Sequence, residues 1–383
     1  MSPIAEGQNS SFSPIRGQSV MLISSRADYG GGPEQLFQIA SSLMRDYRMS
    51  VACPRNEPYF PRLESLLGSQ AMIEIPYRRF CLRTVIKLWR EMGKRKVSLL
   101  HSHGKGAGIY SRILSLFSGV SCIHTFHGIH TGEYGVISRA LYLLLERTLC
   151  FFSRNLVCVS SSELNRAKEL RIGSDLSRVL IENGVKIPND VRPEENFREE
   201  PLQVLSVTRN DFAKNPQLLI PIARYLREWG MEKKIEILAV GIKHAEELRQ
   251  MARSQGVGSM IKWLEPQRDL SKFYKQALCF LSTSRWEGMP LALLEAMSYG
   301  CPVVASRVVG NCDLVLEGET GFFYSPDDPE TAAKKIQRLA EDPNCWNHLS
   351  KQSLIRVKEN FSWEKMTRAY QALYAEILNK QEA

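Results

Sequence analysis

Two carboxylates and two cations in the second half of the chain have the residue types and spacing to do chemistry. Glu287 and Glu295 stand eight positions apart within residues 282–305, which read Ser-Thr-Ser-Arg-Trp-Glu-Gly-Met-Pro-Leu-Ala-Leu-Leu-Glu-Ala-Met-Ser-Tyr-Gly-Cys-Pro-Val-Val-Ala. Pro290 takes the expected first helical position, where its missing N–H costs nothing. The free amides of Gly288, Met289 and Leu291 then gather at or near a helix N-terminus and can face an anion or hydroxyls. A phosphate on these amides, beside carboxylates that take sugar hydroxyls, suits a nucleotide-sugar better than free phosphate. An isolated E-x7-E pair reads more simply as two solvated positions on a helix surface. Arg209 and Lys214 lie after a strand and just before a helix, which places two cations at the carboxyl edge of a sheet. By themselves they too read as solvated surface charges.

The elements that must hold these residues are legible around them. Residues 277–281 are an apolar run that ends in a polar, Gly-containing turn, as a buried strand does. A helix follows through Leu293, Leu294 and Met297 and stops at Gly300, and Pro302-Val303-Val304-Ala305 opens the next strand. This strand–turn–helix–strand unit belongs to an open α/β sheet, which binds ligands at the carboxyl ends of its strands. The same alternation runs through the chain. Residues 20–25 form a first strand, then Gly30, Gly31 and Gly32 lead through Pro33 into a helical pattern. Further strands are expected at 50–53, 71–75, 97–101, 121–126 and 155–160, with helices near 59–68, 80–95, 105–118, 136–152 and 162–171. Strands alternating with helices predict a mostly parallel, doubly wound sheet. The Pro-rich, acidic stretch 188–201 reads as a hinge, and a second alternation begins at 202–207. The expected organisation is a disordered tail (1–19), a first Rossmann-like domain (20–187), a linker (188–201), a second Rossmann-like domain (202–360) and a terminal helix (361–383), N-capped by Ser362.

Composition narrows the class. At 383 residues the chain fits two domains, and 44% hydrophobic with 24% charged residues describes a soluble globular protein. Nine scattered cysteines without a C-x-x-C pair predict reduced thiols in the cytoplasm. No secretory signal or spanning run is visible; the best apolar candidate, 140–152, is broken by Glu146 and Arg147.

The net charge of +9 is concentrated in residues 78–96, where eight Lys/Arg face a single acid, Glu91. Phe80, Leu82, Val85, Ile86, Leu88, Trp89 and Met92 are interleaved at roughly helical spacing. Such a helix either lies on an anionic membrane surface or packs its apolar side on the sheet, and the spacing serves both. No recognition motif accompanies the charge, so nucleic acid is not an expected partner. Five of the seven histidines fall at His101, His103, His124, His127 and His130. They lie in and after strands, whose alternation splits their faces, and no metal is expected. His101 and His124, inside strands, read as core residues.

Taken whole, the 282–305 block resembles the donor-site signature of family 4 retaining glycosyltransferases. Other motifs share the resemblance: Gly31, Gly32 and Glu34 as an opening Gly-Gly-x-Glu; Thr125-Phe126-His127-Gly128 as a strand-end His-Gly; His103-Gly104-Lys105 as the neighbouring strand-end loop; Asn183-Gly184-Val185 near the end of the first domain; and Arg209 with Lys214 as Arg-x4-Lys. The sequence departs from the pattern at Gly241-Ile242-Lys243, where many relatives carry Gly-x-Gly. Trp263, where relatives place the nucleotide base, stacks or simply packs, and the sequence leaves both open.

The resemblance implies a GT-B architecture, two doubly wound domains facing a central cleft with the terminal helix 361–383 crossing back onto the first. It implies transfer of a sugar from a nucleotide-sugar, expected to be a UDP-sugar, to a hydroxyl with retained configuration. It implies that Arg209 and Lys214 grip the leaving diphosphate, whose growing charge fixed cations stabilise. Glu295 would hold the ribose, and Glu287 with the backbone of Gly288, Met289, Pro290 and Leu291 the sugar. His127 would line the opposite wall, and Gly31 and Gly32 would close the phosphate end. No metal or other cofactor is expected. The expected acceptor is a glycan or polyprenyl-linked glycan in cell-surface polysaccharide synthesis, met in the cytoplasm or on the inner face of its membrane. The alternatives are a nucleotide-sugar 2-epimerase-like enzyme and a non-catalytic scaffold of the same fold.

Overall fold

The computed structural model describes residues 17–129, 135–191 and 200–382; the tail up to residue 16, His130 and linker residues 192–199 lie outside it. Strands β1 (Ser19–Ser24), β2 (Arg48–Cys53), β3 (Met72–Glu74), β4 (Val97–His103), β5 (Ser121–Thr125), β6 (Asn155–Cys158) and β7 (Arg178–Leu180) form one sheet in the order β3-β2-β1-β4-β5-β6-β7. Strands β8 (Leu202–Val207), β9 (Ile235–Val240), β10 (Ile261–Leu264), β11 (Ala277–Ser282), β12 (Val303–Ser306) and β13 (Gly321–Tyr324) form a second, in the order β10-β9-β8-β11-β12-β13. The central pairs β1–β4 and β8–β11 are parallel. In both sheets the order reverses there, so the chain leaves each pair toward opposite faces and opens a crevice at the carboxyl ends. β7 is a strand the sequence reading did not contain.

The second sheet shows why its strands read as unbroken apolar runs. Successive side chains of a strand point to opposite faces. Val204, Ile237, Cys279, Leu281, Val304 and Phe322 enter one buried cluster, whereas Leu205, Leu238, Phe280, Val303 and Phe323 enter another. Both faces are covered by helices, so both must be apolar. Trp263 is 7% exposed and belongs to the first of these clusters, so it packs.

By its contacts the chain divides into two compact units. One takes in the chain up to Thr125, Leu149–Asn155 and the residues from Thr367 on; the other takes in Phe126–Thr148 and Leu156–Met366. The sequence reading drew its line at 187 and expected the terminal helix to cross back onto the first domain; by contacts the residues from Thr367 on fall in the first unit, and Phe126–Thr148 with Leu156 onward in the second. In the first unit, residues of the terminal helix Trp363–Glu382 close the core. Tyr374 Oη lies 2.5 Å from His101 Nδ1, and Thr125 Oγ1 lies 2.7 Å from His101 Nε2. His101 and His124 are fully buried, as their strand positions predict. Among the described residues no three His, Cys, Asp or Glu side chains are grouped to hold a metal. No described helix is long and apolar enough to cross a membrane.

The helix after β1 spans Gly31–Leu43. The expected start at Pro33 is therefore corrected: Gly31 and Gly32 precede it in the first turn, whose amides have no acceptor within the helix, so the donor that Pro33 lacks is not missed. Glu34 is committed to packing, accepting from Tyr59 Oη at 2.6 Å and from Arg62 Nη1 at 3.2 Å.

Candidate active site

The site of the second unit is assembled where β8 and β11 end. Residues 206–208 and 280–284 line a pocket there together with Lys214, Glu287, Pro290 and Ala292. Lys214 Nζ donates to Glu287 Oε1 at 2.5 Å, and Ser284 Oγ donates to the same oxygen at 2.6 Å. The two side chains are 21% and 12% exposed, so the pair is sheltered while still facing the pocket. A pair so sheltered is screened less than one on the open surface.

The loop after β8 is fixed by a residue that the motif comparison passed over. Asp211 Oδ2 accepts from Arg209 Nε at 2.9 Å, and Asp211 Oδ1 accepts from the Lys214 amide at 2.9 Å. One carboxylate thus sets both cations, as aspartate does in turns through its own short side chain. Asn215 is left-handed (φ 49°), a conformation that asparagine tolerates best after glycine. Its side-chain oxygen accepts from Arg285 Nη2 at 2.9 Å, and the Arg285 guanidinium lies 4.2 Å over the Phe212 ring. The Arg285 amide donates to Ala213 O at 2.7 Å, and Thr283 Oγ1 donates to Lys214 O at 2.9 Å. The cation loop and the carboxylate loop are in effect one cross-linked unit.

Around Glu287 the backbone approaches closely on two sides. A Cβ on Gly310 (φ +86°) would lie 2.6 Å from Glu287 Cβ, and one on Gly288 would lie 2.9 Å from Gly128 N. His127 and Gly128 therefore abut the Glu287 turn. The Met289 carbonyl accepts from Asn183 Nδ2 at 2.9 Å, so the Asn183-Gly184 turn clamps this loop. Pro290 needs a correction: with extended backbone (ψ 111°) it is the N-cap, and the helix spans Leu291–Ser298. As N-cap it still supplies the carbonyl that receives Leu294 N, and no donor is lost.

Glu295 does not join Glu287 and Lys214 in lining the pocket. It lies in the Leu291–Ser298 helix, where its Oε2 accepts from Tyr274 Oη at 2.8 Å. Tyr274 is buried and stacks on Tyr299 at 5.6 Å between ring centroids. Burial, then the Glu295 charge, pushes its phenol well above its ordinary value, so it remains a donor. Met289 and Leu291 are buried, and Gly31 and Gly32 belong to the other unit. Gly241, the first position of the Gly241-Ile242-Lys243 stretch, has positive φ (106°), and a Cβ there would meet Thr208 O at 2.5 Å. The second position of that motif, Lys243, is exposed and carries no such constraint.

A doubly wound pair of sheets with this arginine–lysine–glutamate arrangement at a carboxyl edge is the architecture of GT-B glycosyltransferases. Residues 29–187 match the family described as Glycosyltransferase Family 4, and residues 189–355 match Glycosyl transferases group 1. The chain belongs to the glycosyltransferases, of GT-B fold and family 4 type. Among its relatives is the UDP-Gal:alpha-D-GlcNAc-diphosphoundecaprenol alpha-1,3-galactosyltransferase of Escherichia coli, 26% identical over 78% of this chain and 81% of that protein. The O-antigen biosynthesis glycosyltransferase WbnH of Escherichia coli is 23% identical over 77% of this chain and 81% of its own. HepE of Anabaena, solved with UDP and glucose, shares the fold with a TM-score of 0.82 at 17% identity, over 94% of this chain and 100% of that chain. The sucrose-phosphate synthase of Thermosynechococcus elongatus does so with a TM-score of 0.80 at 20% identity, over 95% and 100%.

Proposed function

We propose that this glycosyltransferase moves a hexosyl group from a UDP-sugar, with retention of configuration, to a hydroxyl of a glycan carried on a polyprenyl diphosphate in surface-polysaccharide synthesis. The observation that carries the reading is the Lys214–Glu287 pair at the β8–β11 edge. The named activities of the galactosyltransferase and O-antigen relatives, and the UDP complexes of HepE, support the donor and acceptor classes.

In this reading the bond from the anomeric carbon to the leaving phosphate oxygen breaks as the acceptor oxygen bonds on the same face. The acceptor proton passes to the leaving phosphate. Negative charge grows on the diphosphate, and Arg209 and Lys214 stabilise it. An ammonium has three donors, so Lys214 can hold Glu287 and still reach a phosphate oxygen. Glu287 and the amides of Gly288, Met289 and Leu291 take the sugar and phosphate oxygens. Glu295, oriented by Tyr274, takes the ribose hydroxyls. His127 borders the anomeric centre, and Gly31 and Gly32 serve the phosphate end. The two cations supply the charge that a metal would otherwise bring, so no metal cofactor enters the reading.

The protein works in the cytoplasm at the inner membrane face. The helix Leu82–Arg95 supports this, because its apolar residues divide. Leu88 and Met92 are buried in the core cluster on the first sheet, whereas Leu82, Ile86 and Trp89 are 70%, 54% and 44% exposed among the basic residues. Phe117, 68% exposed, meets Trp89 edge-on at 6.5 Å. An anionic lipid surface satisfies both kinds of side chain.

The test is the melting temperature of the protein against UDP-, GDP- and ADP-sugars and the bare diphosphates, since ligand bound to the folded state raises it. A rise with UDP or a UDP-sugar, lost in Glu295→Ala, is expected. No rise with any nucleotide would turn the reading toward a non-catalytic scaffold.

A further inference from the structure

Glu163 is a buried carboxyl that the donor chemistry does not use. It sits in the first turn of the helix Ser161–Glu169, 2% exposed, and both its oxygens are spent on backbone. Oε1 accepts from Gly128 N at 2.6 Å and Oε2 from Val159 N at 2.8 Å. Ser160 Oγ accepts from Glu163 N at 3.1 Å, which is half of a capping box. The other half, a return bond to the cap residue's own amide, is replaced by the two amides further back. Asp313 of the short helix Asn311–Leu314 lies beyond, its Oδ1 accepting from Ser162 N at 2.9 Å. Among the described residues no cation pairs with Glu163, and the one charge that bears on it is that of Asp313.

Gly128 links this carboxyl to the site. A Cβ on Gly288 would lie 2.9 Å from Gly128 N and 3.0 Å from the His127 carbonyl carbon. The peptide that Glu163 grips is thus in backbone contact with the residue that follows Glu287. Interiors this dense transmit small shifts and do not absorb them.

We infer that Glu163 is a positioning residue for glycosyl transfer: its carboxylate fixes the His127-Gly128 peptide against the Glu287-Gly288 turn and so sets His127 relative to the donor sugar. The inference rests on the reading of His127 and Glu287 as site residues. An ionised carboxylate offers an acceptor to each amide. A protonated one must donate through its O–H, and one of the two amides loses its partner. Burial pushes Glu163 up to about 7, the Val159 and Gly128 bonds pull the other way, and Asp313 raises it further. The titratable group that bears on it is Asp313, from the Asn311–Leu314 helix.

The experiment is the pH dependence of kcat and of the donor KM for the full chain with a UDP-sugar, in wild type, Glu163→Gln and Asp313→Asn. UDP-induced melting shifts are read in parallel. Wild type is expected to lose kcat toward acid with a midpoint near 7. Glu163→Gln should lower kcat roughly tenfold, as small misplacements at a reacting centre do, and lose that acid limb, with the donor KM within about twofold. Asp313→Asn keeps the acceptor for Ser162 N but removes the like charge, so the limb should move to lower pH. That second variant decides the matter if Glu163→Gln fails to fold. An acid limb unmoved in either variant, with transfer and UDP shifts normal, overturns the role of Glu163 alone. Absence of both transfer and UDP shifts in wild type overturns the glycosyl-transfer reading and this inference with it.

Discussion

Lys214 Nζ and Glu287 Oε1 meet at 2.5 Å although 73 positions separate them in sequence. The motif that carries the lysine and the motif that carries the glutamate are therefore one functional object. Neither can be altered without changing the charge that the other feels.

That coupling gives the first expectation. Lys214→Ala should cut kcat by about 10²-fold or more, the range for removal of a preorganised charge stabiliser. Glu287→Ala should also be severe, and the double variant should lose less than the product of the two single losses, because each single change already removes the shared contact. Steady-state kinetics with a UDP-sugar measure it. Strict multiplicativity would show that the pair acts as two independent groups.

Tyr274 should act on affinity. Its hydroxyl holds Glu295 Oε2 at 2.8 Å, and loss of one such bond costs about 1 kcal/mol, or roughly fivefold in binding. Tyr274→Phe is expected to weaken UDP binding by that factor in calorimetry while leaving kcat near wild type. An unchanged dissociation constant would remove Tyr274 from the site.

Gly310 and Gly318 make a matched pair for the Glu287 turn. Both have positive φ, at 86° and 76°, but only a Cβ on Gly310 would meet a neighbour, Glu287 at 2.6 Å. Gly318→Ala should cost only the backbone strain of about 1 kcal/mol, some 2–4 °C in melting temperature. Gly310→Ala should lower the melting temperature further and also reduce kcat. Equal effects on both readouts would mean that the Gly310 contact is unimportant.

Glu163 also tilts stability with pH. Its folded-state value, near 7, stands above the ordinary 4.5, so the folded protein binds the extra proton between those values. Stability from this group is full below about 4.5 and is lost as pH rises through 7, by about 3 kcal/mol. Glu163→Gln should flatten that part of the melting-temperature profile. A profile of unchanged slope would contradict the burial penalty.

The exposed apolar side chains of the helix Leu82–Arg95 predict salt-sensitive flotation with anionic vesicles. Replacing Leu82, Ile86 and Trp89 by glutamate should abolish it and leave UDP binding intact. Retained flotation would place any membrane contact elsewhere.

Much of this was legible in the sequence, and the losses have a common cause. Buried parallel strands announce themselves as apolar runs, so β8, β11 and the unit around 282–305 were located within a residue or two. β7, three residues long, is too short for a pattern to accumulate. Pro290 was displaced by one position because the N-cap and first helical positions place similar demands on proline. The partners that orient the site, namely Asp211, Tyr274, Asn183, Gly310 and Glu163, were not visible as such. Most act across tens of residues, which periodicity does not record, although Asp211 sits between Arg209 and Lys214 and was open to reading as a turn-former. In the basic helix the apolar positions occupy more than one face, so spacing left membrane and core as equal choices. Burial separates them residue by residue.

The hydrogen bond between Tyr374 and His101 bears on how the molecule comes into being. His101 lies in the middle of the first sheet, yet the hydroxyl that meets its Nδ1 comes 273 positions later in the chain. During synthesis from the N-terminus, the first unit emerges long before residues 367–382 can reach it. Its imidazole waits without that partner, and the unit reaches its final packing only after the second unit has left the ribosome.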